Sequence, residues 1–237
     1  MTDPVGHDRV ARDPAAFIRD NTALKAPTLV PEIRLHLADA ALPLWEKTEE
    51  ELEAVGLPPP YWAFAWAGGQ ALARHLIDRP ELVAGKRVLD VASGSGVVAM
   101  ACLWASAAVV VANEIDGFAL AAIRMNAEAN GLEAGLELAG RDMLDEPALA
   151  DDGGPLWDVV LAGDVCYEKP MAERMTAWLR RHAAAGALVL MGDPGRTYRP
   201  ADGLEQLAEY LVPTPRDLED SDLRRTVVWR VLSITDG

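Results

Sequence analysis

The chain is poor in sulfur, in aromatic rings and in positive charge. Cys102 and Cys166 are the two cysteines among 237 residues. They fall in different expected elements and make no metal-ligand spacing, so they read as reduced thiols of a cytoplasmic protein. The four histidines are scattered and suggest no metal site. No apolar run approaches the roughly 18 residues that span a bilayer. The opening Met-Thr-Asp-Pro lacks a basic-then-apolar secretion pattern, so no membrane partner is expected. Lysine and arginine number 22 against 37 aspartates and glutamates, a net charge of −15. That balance opposes a phosphate backbone and disfavours nucleic acid as a partner. The surplus serves solubility, or it attracts a cationic segment such as a lysine-bearing loop of another protein. Internal repeats and low-complexity segments are also absent.

What is present is a large apolar fraction, 50% of residues, enough for a sizeable core. The length suits one ordinary α/β domain, residues 61–237, preceded by a partly helical N-terminal extension, residues 1–60. Helical patterns fall at 15–24 and 45–55, and Leu57-Pro-Pro-Pro60 reads as a rigid linker. An aromatic run at 61–66 leads to Gly68-Gly69, which opens an amphipathic helix to about residue 79.

From Lys86 onward, strand and helix alternate, which predicts a parallel sheet with helices on both faces. Strands are expected from about 87, at 109–113, 136–138, 157–162 and 187–191. A helix over 117–130 has Asp116 as its cap and Gly131 as its stop, with Phe118, Ala121, Ala122, Met125 and Ala129 on one face. Pro170 suits the first turn of a helix whose Met171, Met175, Trp178 and Leu179 point inward. Apolar segments at 207–212 and 226–234 are joined by a polar loop too short for a crossover helix. They form a hairpin, so the last strand runs antiparallel. The fold class is therefore α/β: a Rossmann-like, seven-stranded sheet with an antiparallel last strand.

The segment Arg87-Val-Leu-Asp-Val-Ala-Ser-Gly-Ser-Gly96 reads as a buried strand entering a glycine-rich turn, with Ser93, Gly94, Ser95 and Gly96 in the turn. A second buried strand ends at Asn113-Glu114, roughly two dozen positions beyond Asp90. Glycines let the backbone approach a nucleotide-like cofactor, and the acid accepts from a ribose hydroxyl. Gly94-Ser-Gly-Val-Val-Ala99 also fits the dinucleotide pattern G-x-G-x-x-G/A. Electrostatics favours another ligand. A carboxylate at Asp90 would repel a pyrophosphate at the helix N-terminus. The same carboxylate suits S-adenosylmethionine (SAM), which carries an ammonium and a sulfonium but no phosphate.

Ligands of such sheets sit at the carboxyl ends of strands. Strand three is followed by Gly140-Arg-Asp-Met143, where Asp142 either accepts from an adenine amine or caps a turn, and Met143 packs against the ring. Strand four ends in Gly163-Asp-Val-Cys-Tyr-Glu168 and strand five in Gly192-Asp-Pro-Gly-Arg196.

These loops, with Pro60-Tyr-Trp-Ala-Phe-Ala-Trp-Ala-Gly-Gly-Gln-Ala-Leu72, Ala112-Asn-Glu-Ile-Asp116, Pro31-Glu-Ile-Arg-Leu-His-Leu37 and Thr226-Val-Val-Trp229, carry a specific resemblance. Together they resemble the electron transfer flavoprotein β-subunit lysine methyltransferases. That family lies within a group of SAM-dependent protein-lysine methyltransferases marked by an acid-x-x-aromatic motif after strand four, matched here by Asp164 and Tyr167. One departure is Ala67, where the family often carries proline. Related bacterial sequences also resemble methyltransferases of ribosomal protein L11, so that protein or a small molecule stands as the alternative acceptor.

The resemblance implies that a lysine amine displaces the methyl group of SAM in line. On this reading Asp164 draws in and orients the ammonium, Tyr167 walls the lysine channel and Trp66 packs near the cofactor. Glu168, Asp193 and Arg196 shape the substrate side. Arg196 either clamps an acid on the partner or pairs with Asp193. Cys166 is a small filler, because no histidine is patterned to activate it.

Overall fold

The computed structural model describes residues 13–38, 59–214 and 223–233. The helix expected at 45–55 and the first half of the proline linker lie outside the described residues. The first described element is helix α1, Pro14–Asn21, opened by Asp13, whose Oδ1 accepts from the Ala16 N–H at 2.9 Å. The helix expected over 15–24 stops early. Thr22 adopts extended backbone and turns its hydroxyl back to the Ile18 carbonyl, and strand β1, Ala23–Lys25, pairs antiparallel with β2, Leu35–Leu37. Tertiary pairing overrides helical patterning there.

Among the described residues, the remaining α-helices and strands follow the expected alternation. They are α2 (Ala67–Asp78), β3 (Arg87–Val91), α3 (Val97–Trp104), β4 (Val109–Asn113), α4 (Gly117–Asn130), β5 (Leu136–Ala139), β6 (Val159–Gly163), α5 (Lys169–Ala184), β7 (Leu188–Asp193), β8 (Leu204–Pro213) and β9 (Leu223–Val231). Seven strands form one sheet in the order β5-β4-β3-β6-β7-β9-β8. The first five in that order are parallel, and β9 runs antiparallel to both β7 and β8. Chain order reverses between β3 and β6, the place where an open α/β sheet leaves a crevice at its carboxyl edge. Both hairpin strands begin earlier than the apolar letters suggest. Glu205, Gln206 and Glu209 are exposed along the sheet's edge, so the strand has only a thin apolar signature.

Each parallel strand splits its residues between two cores with the period of two that a pleat imposes. Val88, Val110, Ala112, Val159, Leu161 and Leu190 face α2, α3 and α4. Leu89, Val111, Val160, Ala162, Val189 and Met191 face α5 with its Met175, Trp178 and Leu179. Helix α4 is apolar on two sides. Ile123 and Ala127 meet the sheet, and Phe118, Ala121, Ala122 and Met125, expected on one face, pack with Ile18 and Trp62. That stripe is thus covered by the N-terminal segment, which also ties the His36 N–H to Asn126 Oδ1 at 2.7 Å. Among the described residues no helix is long and apolar enough to cross a membrane.

His182 lies at the end of α5, 1% exposed, its ring centroid 4.2 Å from that of Trp178, and neither ring nitrogen has a hydrogen-bond partner. Burial, with help from Arg181, lowers its pKa to about 4. The folded protein therefore keeps His182 neutral while the unfolded chain takes up its proton near pH 6.5. Its contribution is complete above that value and is lost as pH falls toward 4. Denaturant titrations of wild type and His182→Leu should show the difference in unfolding free energy moving toward the variant by about 1–2 kcal/mol between pH 7 and pH 5. A pH-independent difference would contradict this placement.

Candidate active site

A cleft of about 1030 Å³ opens across the carboxyl ends of β3, β4 and β6. At one end lies the glycine turn. Ala92, Gly94 and Gly96 all have positive φ, at 52°, 54° and 78°. Gly96 also admits no side chain easily, since a Cβ there would lie 3.1 Å from Ile123 Cγ1. This turn is welded to the end of β4. The Gly94 N–H donates to Glu114 Oε2 at 3.1 Å, while Oε1 accepts from the Ile115 and Asp116 N–H groups at 2.8 and 3.4 Å. Asn113 Nδ2 secures the neighbouring loop through the Ala139 and Arg141 carbonyls at 2.8 and 2.7 Å. Asp116 caps α4 through the Phe118 N–H, and burial, assisted by Glu114, pushes its pKa up to about 6. Ile115, 75% exposed beside Glu114, gives the wall an apolar face.

The other end is built from backbone packed on backbone. The first turn of α2 crosses the ends of β6 and β7 so closely that a Cβ on Gly68 would overlap the Gly192 carbonyl oxygen. One on Gly163 would sit 3.0 Å from Gly69 Cα. Trp66 at the α2 N-cap offers no side-chain bond to the helix's free N–H groups. Asp164, remote in sequence, supplies one: its Oδ2 accepts from the Gly69 N–H at 3.0 Å. Its Oδ1 faces Arg196, with Nη2 at 2.8 Å and Nε at 3.3 Å. Asp164 adopts φ 55°, a left-handed conformation uncommon outside glycine, held by its own N–H bonding to the Gly192 carbonyl at 3.0 Å. Burial raises its pKa to about 6, opposed by Arg196 and by the Gly69 bond and reinforced by Asp193.

Aromatic rings rim this end. The Tyr167 and Tyr61 centroids are 5.8 Å apart, those of Tyr61 and Trp66 6.2 Å, and the Trp66 indole N–H donates to the Tyr61 carbonyl at 3.0 Å. The Arg196 guanidinium carbon lies 5.8 Å from the Trp66 ring centre. One end of the cleft thus offers a carboxylate on a glycine turn, and the other a buried carboxylate beneath aromatic walls.

Comparison with known proteins assigns the family. The electron transfer flavoprotein beta subunit lysine methyltransferase of Danio rerio is 38% identical over 220 residues, covering 90% of this chain and 81% of that protein. Its Xenopus laevis counterpart is 36% identical, covering 91% and 86%. The chain belongs to that methyltransferase family. The family model of ribosomal protein L11 methyltransferase (PrmA) matches residues 72–163. The fold is also that of the magnesium protoporphyrin IX methyltransferase ChlM from Synechocystis PCC 6803, solved with bound SAM. It is 15% identical, with TM-score 0.50 over 69% of this chain and 77% of that one.

Within this methyltransferase, Trp66, Gly94, Asn113, Glu114, Asp142, Met143, Asp164, Tyr167 and Arg196 meet at the cleft. Asp90, Ser93, Ser95 and Gly96 are not among its lining residues. The Asp90 carboxylate turns inward instead, accepting from the Ser93 hydroxyl and from the Ala99 N–H at 3.1 Å, and burial pushes its pKa up to about 7. It holds the turn against α3. Asp142 lines the wall but is also held by the Leu144 N–H at 3.0 Å and by Arg174 at 2.6 Å, which keep its pKa low. Glu168 is exposed at the start of α5 and is not among the residues that line the cleft. Asp193 lies beneath the cleft, its Oδ1 accepting from the Gly195 and Arg196 N–H groups at 2.7 and 2.9 Å. Arg196 makes its close ion pair with Asp164, and the Asp193 carboxylate instead holds the Arg196 main chain. The sequence reading passed over Tyr61, Ile115 and Arg174. The aromatic run contained a signal for Tyr61, whereas nothing in the periodicity singles out Arg174.

The glycine crossing gives a stability test. Gly192→Ala should cost about 2–3 kcal/mol in denaturant unfolding, because neither backbone can retreat from the inserted methyl group. A cost under half a kcal/mol would show that α2 is free to lift off the sheet.

Proposed function

We propose that this chain transfers methyl groups from SAM to lysine side chains of the electron transfer flavoprotein beta subunit. The observation that carries this reading is Asp164, a buried carboxylate that lines the same cleft as Glu114 and stands beside the aromatic rim. The match to the L11 methyltransferase model ends at residue 163, just short of Asp164, whereas the lysine methyltransferase relatives match over 90% of the chain. The loops that would meet an acceptor therefore side with the second group.

The residues suit SAM on electrostatic grounds. The cleft's glycine end presents Glu114 and no lysine or arginine from the turn itself, which favours a ligand with hydroxyls and positive charge over a pyrophosphate. Glu114 would hold ribose hydroxyls, because a carboxylate has about four lone-pair sites and backbone N–H groups occupy some of them. Ile115 and Met143 would flank the adenine, with Asp142 near its amine. When bound, SAM supplies a methyl group on a sulfonium, which a neutral amine takes in one displacement.

Asp164, with a pKa of about 6, is mainly ionised at neutral pH and attracts the lysine ammonium into the cleft. Tyr61, Trp66 and Tyr167 rim its approach. A partly apolar channel lowers a lysine pKa from about 10.4, which frees the attacking lone pair. Asp164 need not act as a strong base, since holding the amine in line accounts for much of the acceleration. We place the reaction in the cytoplasm, where the buried thiols of Cys102 and Cys166 stay reduced.

Isotope-labelled SAM and purified electron transfer flavoprotein beta subunit test this directly. Wild type should label lysine. Asp164→Ala should lose about 100-fold or more in turnover, with SAM affinity by calorimetry within a few-fold of wild type. Undiminished turnover in the variant would sink the assignment of Asp164. Glu114→Ala should do the reverse, weakening SAM binding by about 10-fold or more.

A further inference from the structure

The loop after β7 is built to aim one cation. Asp193 Oδ1 gathers the Gly195 and Arg196 N–H groups into a tight turn at 2.7 and 2.9 Å, and Gly195 takes φ 88° to close it. From that turn the Arg196 side chain lies beneath the Trp66 ring and places two nitrogens on a single oxygen of Asp164. The other oxygen is taken by α2 through Gly69. Both ends of the Asp164 carboxylate are therefore fixed by groups that no motif links to it.

We propose that Arg196 is a positioning residue for this methyltransferase: its guanidinium, set in place by Asp193, keeps the Asp164 carboxylate charged and correctly turned in the cleft. The physical need is plain from the surroundings. Asp164 is 9% exposed and shares its corner with a second carboxylate, Asp193, 1% exposed, one oxygen of which has no hydrogen-bond partner. Burial and a like-charged neighbour both favour the neutral acid. Against them stand Arg196 from the β7 side and the first-turn amide of α2. Cys166, in the Asp164 loop, is held neutral by burial, with its pKa pushed up to about 12. Arg199 approaches Asp193 at 3.8 Å and lies over Trp229, so its charge is spent behind the site. Arg196 is thus the cation that decides whether Asp164 can attract a lysine at neutral pH.

The activity readout rests on the lysine-methylation reading, and a second readout does not. kcat/KM for the electron transfer flavoprotein beta subunit is measured from pH 6 to 9 in wild type and Arg196→Gln, and the two are divided, which cancels the titration of the substrate amine. The ratio should be about one-tenth or lower at pH 7 and rise several-fold by pH 9, and Arg196→Lys should recover most of the loss. A carboxyl-carbon NMR titration should move the Asp164 midpoint from about 6 upward by about two pH units in Arg196→Gln. Asp193→Asn keeps the turn's acceptor oxygen but removes the neighbouring charge, so it should move the midpoint down, a prediction that survives if Arg196→Gln fails to fold.

A pH-independent ratio, or an unmoved carboxyl midpoint, would overturn the proposal. So would a lower KM for the protein substrate in Arg196→Gln at every pH, which would make Arg196 a competitor for the lysine's seat. If wild type leaves the flavoprotein subunit unlabelled, the functional reading fails while the carboxyl titration still decides Arg196.

Discussion

The site depends on one close approach: the first turn of α2 lies against the ends of β6 and β7 with nothing but glycine between them. Gly68, Gly163 and Gly192 leave no room for a side chain at the crossing. The consequence is electrostatic. Four N–H groups at a helix start need acceptors, and here the sheet provides one in the Asp164 carboxylate. The helix's positive end in turn stabilises a charge that burial disfavours. A single packing constraint therefore both closes the fold and equips the site.

The two ends of the cleft spend their carboxylates differently. Glu114 is partly exposed and bonded to three main-chain N–H groups, so it welds the glycine turn to β4 while still facing the cavity. Asp164 is buried, strained and shared between a helix N-terminus and a guanidinium. Asp90 and Asp193 stand one layer back, each using its carboxylate to set a turn. This separation of facing and supporting acids explains why a strand-end carboxylate recurs without every copy touching a ligand.

Much of the fold was legible because its physics is local. Buried parallel strands announce themselves as apolar runs, Asp116 and Gly131 bracket α4, and the glycine turn and Glu114 mark the carboxyl edge. What was not legible lies in long-range contacts. The short pairing of β1 with β2 ends α1 early, and nothing local shows that the apolar stripe of α4 packs with Ile18 and Trp62. At the cleft, the strand-end positions of Asp164, Tyr167 and Arg196 were legible, but not their arrangement. Asp90 carries the right chemistry for a ligand ammonium, and only the positions of the Ser93 hydroxyl and the Ala99 N–H show that its carboxylate is already engaged. Likewise, no spacing rule pairs Arg196 with Asp164, which joins two strand ends, or Arg174 with Asp142, which joins helix α5 to the loop after β5.

The site is held together by the hydrogen bond from Gly69 to Asp164, and amide hydrogen exchange reads that bond directly. In wild type the Gly69 amide should exchange slowly although it lies in the first turn of a helix, where amides have no intrahelical partner. In Asp164→Ala it should exchange faster by about 10-fold or more, while amides from Ala71 onward keep their protection. Equal Gly69 rates in the two proteins would contradict the claim that a strand-end carboxylate holds the helix and is held by it.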